Sequence, residues 1–404
     1  MGGPLEGIKV ISCGIWLQLP FASKLLGDLG AEVIKVEERV AGDPIRGVMD
    51  ITPDEIPQTG RHMDLDSFNL NKRSIALDLR KEKGKEIIYR LVEKADVFAH
   101  NFRAGVVERL GIDYETLSRH NPRLVYAQGS GWGMKGPISH RPSFEVTAAS
   151  RAGWLYHFGG PEMPPMLFRP GICDSLVGIY IAFAIAAALV CRERTGIGQF
   201  IDISALGSLL AAAPQEVNFS LLFGKDLPRR DKTSSLNPMV SYYKCQDNRW
   251  LALHMMQTDR YWHDFCAVLG VQELEDDPRF HNHQARTESR SELTAVLDKV
   301  FGTKPRDEWI KLLEKGGDFI FSPIYEVSEA ISDPQVLENE YITEYEHPAH
   351  GPTKVVGFPY KFSKTPASIR RHPPEHGEHT EEILLELGYS WDDIVELKES
   401  QTII

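Results

Sequence analysis

"IKVISCGIWLQLPFASKLLGDLGAEVIKVEE", residues 8–38, contains three elements in one short span. IKVISC is a β-rich run, LPFASKLLGDLG has a helical pattern closed by Gly30, and AEVIKVEE is a second β-rich run. This strand–helix–strand unit predicts two parallel strands joined by a right-handed crossover. The grammar repeats downstream: RSIALDL precedes the helical KGKEIIYRLVEKA, DVFAHNF follows, and the helices of VVERLGI and YETLSRHN lead to the strand LVYAQGSGW. Near-continuous apolar strands alternating with helices imply an α/β protein with a parallel sheet covered on both faces. In such sheets ligands settle beyond the carboxyl ends of the strands. Those ends carry SCGIWLQ, EERVAGDPIR, HNFRAG and GSGWGMKG.

A chain of 404 residues is too long for one simple core. The texture changes after about residue 225, where the turn-rich GKDLPRRDKTSSLNP reads as a linker. MVSYYKCQDNRWLALHM then predicts an antiparallel hairpin turning at Asp247-Asn248, followed by helices to about residue 316. From about 330 the chain reads as irregular and Pro-rich, ending in the helical HTEEILLELGYSWDDIVELKES. The expected division is 1–225, 226–330 and 331–404.

The formal net charge of −12 argues against nucleic acid or an anionic membrane as partner. Five widely spaced cysteines with no CxxC, and no signal-peptide pattern at the start, predict a reducing, cytoplasmic setting. The longest apolar run, Leu176 to Cys191, falls short of the roughly 18 residues of a membrane span and reads as a buried helix. Gly131-Trp132-Gly133-Met134-Lys135-Gly136 matches a dinucleotide fingerprint in letters, but Pro137 and a polar loop follow where a helix is needed. Walker A, HExxH and GxSxG motifs are absent, and the His281/His283 and HPPEHGEH clusters match no standard metal spacing. No metal or nucleotide cofactor is expected.

One acidic residue, Asp174, stands just ahead of the apolar run. Its local reading is an N-cap, accepting a first-turn N–H. The same helix N-terminus offers donors for an oxyanion formed when a carboxylate attacks a carbonyl. The ordered blocks LEGIKVISCG, LLGDLGAEVIKVEE…GDPIR, NLNKRSIALDLRKEKGKEI, ADVFAHNFRAGVVERLGIDYETL, NPRLVYAQGSGWGMKGP, CDSLVGIYIAFAIAAALVCRERTGIGQFIDIS and GEHTEEILLELGYS strongly resemble the class III CoA-transferases. The α-methylacyl-CoA racemases are relatives of that family. The likeness covers almost the whole chain.

The resemblance implies a doubly wound, Rossmann-like large domain built from both chain ends, a smaller α+β middle domain, and two interlocked subunits. It implies an acyl-CoA donor and a small carboxylic-acid acceptor as the only partners, with Asp174 as nucleophile and Glu145 as a second active-site acid. An exposed helix acid is the plainer reading of Glu145. The resemblance places Arg39, Leu77, Asp78, Arg80, Asn101, Phe102, Arg103 and Arg109 where the family binds the CoA nucleotide, and Gln18 near the thioester. Arginine forks suit phosphates. Phe102 offers a face for the adenine. Three departures stand out: Gln18 lies one residue late with Leu17 in its place, Glu38 replaces a usual arginine with Arg39 beside it, and the glycine-rich closing loop is missing near LALHMMQTDRYW. The NPMVSYYKCQDNRWLALHMMQTDRYWHDF and FEVTA blocks are most like the branch handling 2-hydroxy or aryl-substituted acids, with Trp16, Trp132, Trp154 and Phe144 as candidate walls of an apolar pocket. The competing readings are an acyl-CoA racemase, which needs a histidine where Phe144 stands, and a non-catalytic CoA-binding protein.

Overall fold

The computed structural model describes residues 2–47, 62–232 and 235–404. The chain divides into two compact units: Met1–Leu155, Leu167–Gly224 and Glu340–Ile404 form the larger, Tyr156–Met166 and Lys225–Asn339 the smaller. Relative to the division expected from the sequence, a short excursion at 156–166 belongs with the smaller unit, and the return begins at Glu340.

The larger unit is built on six parallel strands: β1 Lys9–Cys13, β2 Glu32–Glu38, β3 Lys72–Leu77, β4 Val97–His100, β5 Val125–Ser130 and β6 Gln199–Ser204. Their order is β3-β2-β1-β4-β5-β6. The direction of winding reverses between β1 and β4, the switch point at which open α/β sheets bind ligands. Alternate residues serve opposite faces. Ile11, Cys13, Ile34, Ile75 and Phe98 join one buried cluster with Ile87, Ile88 and Leu91 of helix Glu82–Glu93. Val10, Val33, Val97 and Val125 join the other, with Leu19, Ala22 and Leu26 of helix Gln18–Asp28 and Val177, Ile181 and Ile185 of helix Ile172–Thr195.

The first cluster is completed from far along the chain by Ile383, Leu384, Ile394, Leu397 and Ile403. These come from two helices, Thr380–Glu386 and Trp391–Glu399, where the sequence had read one continuous helical segment. Ser390 caps the second through a reciprocal bond with Asp393, which breaks the segment. Arg73 of β3 ties this return to the sheet, pairing with Glu32, Glu382 and Glu386.

The smaller unit carries the predicted hairpin, β7 Val240–Lys244 and β8 Trp250–His254, with Asn248 at φ 64° in the turn. A third antiparallel strand, β9 Phe321–Ile324, extends it. Proline at position 323 hid that strand from the sequence reading. The stretch read as irregular holds a further hairpin in the larger unit, β10 Ile342–His347 and β11 Gly351–Val356. Residues 233 and 234 of the expected linker lie outside the described residues.

The helix Ile172–Thr195 corrects the sequence reading twice. It is 24 residues long, so by length and composition alone it is apolar enough to cross a membrane, because it adds turns on both sides of the uninterrupted run. Nor is it buried all round: 39% of its most apolar window is covered within the chain, while Ile172, Ile179, Phe183 and Val190 face outward.

A buried ionic network sets the turn after β1. Lys35 pairs with Asp43 at 2.6 Å and donates to the Gly14 carbonyl at 3.0 Å. Asp43 Oδ1 accepts from the Trp16 and Ile45 amides. From the β4 side, the Asn101 amide both accepts from Ile15 N–H (2.9 Å) and donates to Ile15 C=O (2.8 Å). Held on three sides, Trp16 takes φ 61°, a left-handed conformation costly for a bulky residue. Below it, Glu37 accepts the fork of Arg46 and the Ser74 hydroxyl. Burial opposes ionisation there, but Arg46, Lys35 and Ser74 outweigh it and hold the Glu37 carboxyl at about 2. Removing one partner of a buried pair strands the other charge, so Asp43→Ala is expected to cost about 3–5 kcal/mol in denaturant unfolding. Lys35→Met/Asp43→Leu should recover much of that loss, and a single-variant cost below about 1 kcal/mol would count against the network.

Candidate active site

Glu145 opens the short helix Glu145–Arg151 and is buried, 6% exposed, which corrects the reading of an exposed helix acid. Its carboxylate reaches across to the start of the long helix. Oε1 accepts from Gly171 N–H at 2.5 Å, and Oε2 accepts from Asp174 N–H at 2.9 Å. Gly171 is the cap residue at φ 109°. There is room beside its Cα, with Leu17 Cδ1 3.9 Å from where a Cβ would lie, so conformation rather than space calls for glycine.

This arrangement corrects the expectation for Asp174. It lies within the first turn, three residues past the cap, and the capping carboxylate is Glu145's. Glu145 therefore takes two donors that the sequence reading assigned to an oxyanion. The Asp174 side chain, half-buried, makes no hydrogen bond among the described residues. Burial, then the neighbouring Glu145 charge, pushes its carboxyl up to about 7. Burial, then the Glu145 and Asp174 carboxylates, push the thiol of the preceding residue, Cys173, up to about 12, so it is no thiolate near neutral pH. No histidine hydrogen-bonds to either acid among the described residues, and Phe144 beside them is 58% exposed.

Two loops from the sheet end close around this pair. Leu17 faces Gly171, and the Trp16 ring meets Phe144 edge-on at 5.6 Å between centroids. Gln18 begins helix Gln18–Asp28 with its side chain over Gly129 at the end of β5, where a Cβ would come within 2.7 Å of Gln18 Oε1. Leu17, not Gln18, is therefore the neighbour of the capped helix start. Trp132 and Trp154 pack on the second core cluster, donating their indole N–H to the Arg141 and Leu209 carbonyls.

The residues placed on the nucleotide lie along the carboxyl ends of β2, β3 and β4. Arg39 follows β2; Leu77 ends β3, with Asp78 and Arg80 just beyond; Asn101, Phe102 and Arg103 follow β4, and Arg109 lies in helix Val106–Leu110. Among the described residues the side chains of Arg39, Arg103 and Arg109 make no ion pair or hydrogen bond, whereas Arg80 is gripped by Asp78. The Asn101 side chain is committed to the Ile15 backbone. Phe102 stacks on the buried His100, centroids 5.9 Å apart. Burial lowers the His100 imidazole to about 3, so it is neutral, and its Nδ1 accepts from Phe102 N–H. The sequence reading missed Lys35, Asp43, Gly171 and His100; a lysine inside a strand as apolar as VIKV was the one available signal. No group of three or more His, Cys, Asp or Glu that could hold a metal ion occurs among the described residues.

Geometry of this kind suits an enzyme that turns one of its own carboxylates on an activated acyl group. The family model described as CoA-transferase family III matches residues 5–380, and the chain belongs to that family and is an enzyme of its class. It is 33% identical over 386 residues to the succinyl-CoA:glutarate CoA-transferase of Homo sapiens, covering 95% of this chain and 86% of that one. It is 30% identical over 416 residues to the cinnamoyl-CoA:phenyllactate CoA-transferase of Clostridium sporogenes, covering 99% and 97%. Among solved structures, a CAIB/BAIF family protein from Brucella suis superposes with a TM-score of 0.85 at 30% identity, over 96% of this chain and 100% of that one.

A carboxyl must be ionised to attack a carbonyl, so a reaction that uses Asp174 in this way should show kcat/KM rising with pH to a plateau with a midpoint near the Asp174 value of about 7. Glu145→Gln removes the like charge and should move that midpoint to lower pH. A flat profile between about pH 5 and 9, or a midpoint displaced upward in the variant, would contradict this electrostatic pairing.

Proposed function

We propose that this protein moves CoA from an acyl-CoA thioester to a carboxylic acid through two covalent adducts on Asp174. An Asp174 oxygen attacks the thioester carbonyl and the C–S bond breaks, giving a mixed anhydride and CoA thiolate. The thiolate attacks the aspartyl carbonyl, releasing the donor's acid and leaving an aspartyl-CoA thioester. The incoming carboxylate displaces the thiolate to form a second anhydride. Thiolate attack on the acceptor's acyl carbon then yields the new acyl-CoA and restores Asp174. The observation that carries this reading is a half-buried carboxylate with no hydrogen-bond partner among the described residues, beside an acid that spends its own oxygens on the helix amides. A poorly hydrated carboxylate is the stronger nucleophile, and a dry setting protects the anhydride from water.

For the acceptor, the reading favours 2-hydroxy or aryl-substituted acids. The Trp16–Phe144 edge contact beside the acidic pair supplies an aromatic wall, and one relative's name specifies phenyllactate. A second copy of the chain, interlocked with the first, would cover the outward apolar residues of the long helix together with Leu221, Leu222 and Phe223.

Quenching the enzyme in turnover with hydroxylamine should leave a hydroxamate at Asp174 by peptide mass spectrometry. Asp174→Asn should reduce transfer by about a thousandfold or more with the fold intact by circular dichroism. A variant retaining near-normal rates would sink the covalent route. Aryl lactates compared with glutarate and succinate as acceptors test the substrate class, which fails if the dicarboxylates are turned over more efficiently. Phe183→Asp should convert a dimer to monomers in analytical ultracentrifugation; a wild-type monomer would remove the dimer from the proposal.

A further inference from the structure

The first glycine of the run Gly131-Trp132-Gly133-Met134-Lys135-Gly136 meets a neighbouring loop of its own chain. Gly131 follows directly on β5, and a Cβ placed there would lie 2.2 Å from Ser143 Cβ and 2.6 Å from Ser143 Oγ. Carbon atoms in contact stand about 3.5 Å apart. Gly133 and Gly136 take left-handed φ values and Gly131 does not, so at 131 it is space that demands glycine.

Neither side of this contact can retreat cheaply. The Gly131 carbonyl accepts from Leu206 N–H at 3.0 Å, and the Ser130 hydroxyl beside it accepts from Gly133 N–H at 3.0 Å. The Trp132 indole donates to Arg141 C=O at 3.1 Å, so two consecutive residues at the strand end hold 141–143. Ser143 is in turn joined to the start of helix Glu145–Arg151: its Oγ lies 3.1 Å from Thr147 Oγ1, which accepts from Phe144 N–H at 3.1 Å. Glu145 lies inside this knot. Its two bonds, to the Gly171 and Asp174 amides, would both be stretched past hydrogen-bonding length by a shift of about 1 Å.

We propose that Gly131 is a positioning residue for the reaction: with no side chain of its own it lets Ser143 close onto the sheet end, and that contact sets how far Glu145 reaches toward the start of the long helix. The inference rests on the reading of Asp174 as the nucleophile. A methyl group at 131 would push 143–145 outward and withdraw the Glu145 carboxylate from Asp174. Asp174 would then lose a like charge and feel the amides that Glu145 had vacated, and both changes favour its ionised form.

The test is kcat and kcat/KM against pH for the wild-type protein, Gly131→Ala, Ser143→Gly and the double variant. Gly131→Ala, folded by circular dichroism, should lower kcat about tenfold or more with KM little changed. It should also move the midpoint of kcat/KM down by about half a pH unit or more. Loss of packing alone would lower activity and leave the midpoint where it was. Ser143→Gly removes both atoms that the methyl would strike and leaves the Cα of residue 143 at 3.6 Å, an ordinary contact. Added to Gly131→Ala, it should restore rate and midpoint to those of Ser143→Gly alone. A folded Gly131→Ala with the wild-type midpoint, or a double variant no nearer to wild type than Gly131→Ala, overturns the proposal. Should Gly131→Ala not fold, Trp132→Phe loosens the same segment by deleting its bond to Arg141, and an unmoved midpoint there overturns it equally. A wild-type profile with no midpoint is a different failure, since it removes Asp174 as the nucleophile and this inference with it.

Discussion

A single carboxylate bonded to two backbone amides organises the corner where the two acids meet. Glu145 ties Gly171 and Asp174 together, and in doing so it fixes where the long helix begins and what its first turn presents. The helix terminus would otherwise favour any nearby anion, Asp174 included. With that place taken, Asp174 gains no capping bond, and burial followed by the second negative charge of Glu145 pushes its carboxyl up to about 7. The carboxylate that satisfies the helix is the one that leaves Asp174 unsatisfied.

The opposite wall of the corner is set just as firmly by groups that never face it. Lys35, Asp43 and Asn101 converge on the backbone of residues 14–16 from two neighbouring strands. Together they hold Trp16 in a conformation it would not choose alone. Strain of this sort persists only where the surroundings over-determine it. It places Leu17 against Gly171 and the Trp16 ring against Phe144, so the aromatic wall and the acidic pair share one rigid frame.

The parallel sheet was legible because its strands alternate with helices at short range and are apolar on both faces, a pattern carried by consecutive residues such as 8–38. Asp174 stood out because one acid before sixteen apolar or small residues is a local anomaly. Its true position in the first turn was not legible, because that depends on Glu145, brought in from another helix. For the same reason the resemblance put Asn101 near the ligand but could not show its side chain spent on Ile15. The β10–β11 hairpin escaped because its half-exposed strands lack a hydrophobic period, and β9 escaped because proline masked it.

The return of the chain to the sheet has a consequence for biosynthesis. Part of one face of the parallel sheet is covered by Ile383, Leu384, Ile394 and Leu397, beside helix Glu82–Glu93, and its edge is closed where Ile403 bridges Leu77. Those residues leave the ribosome long after the strands they protect, so the nascent sheet must wait with part of that apolar face uncovered while the whole smaller unit is made. Chaperone occupancy of that face, and sensitivity to truncation of the last two helices, follow from the order in which the polypeptide is translated.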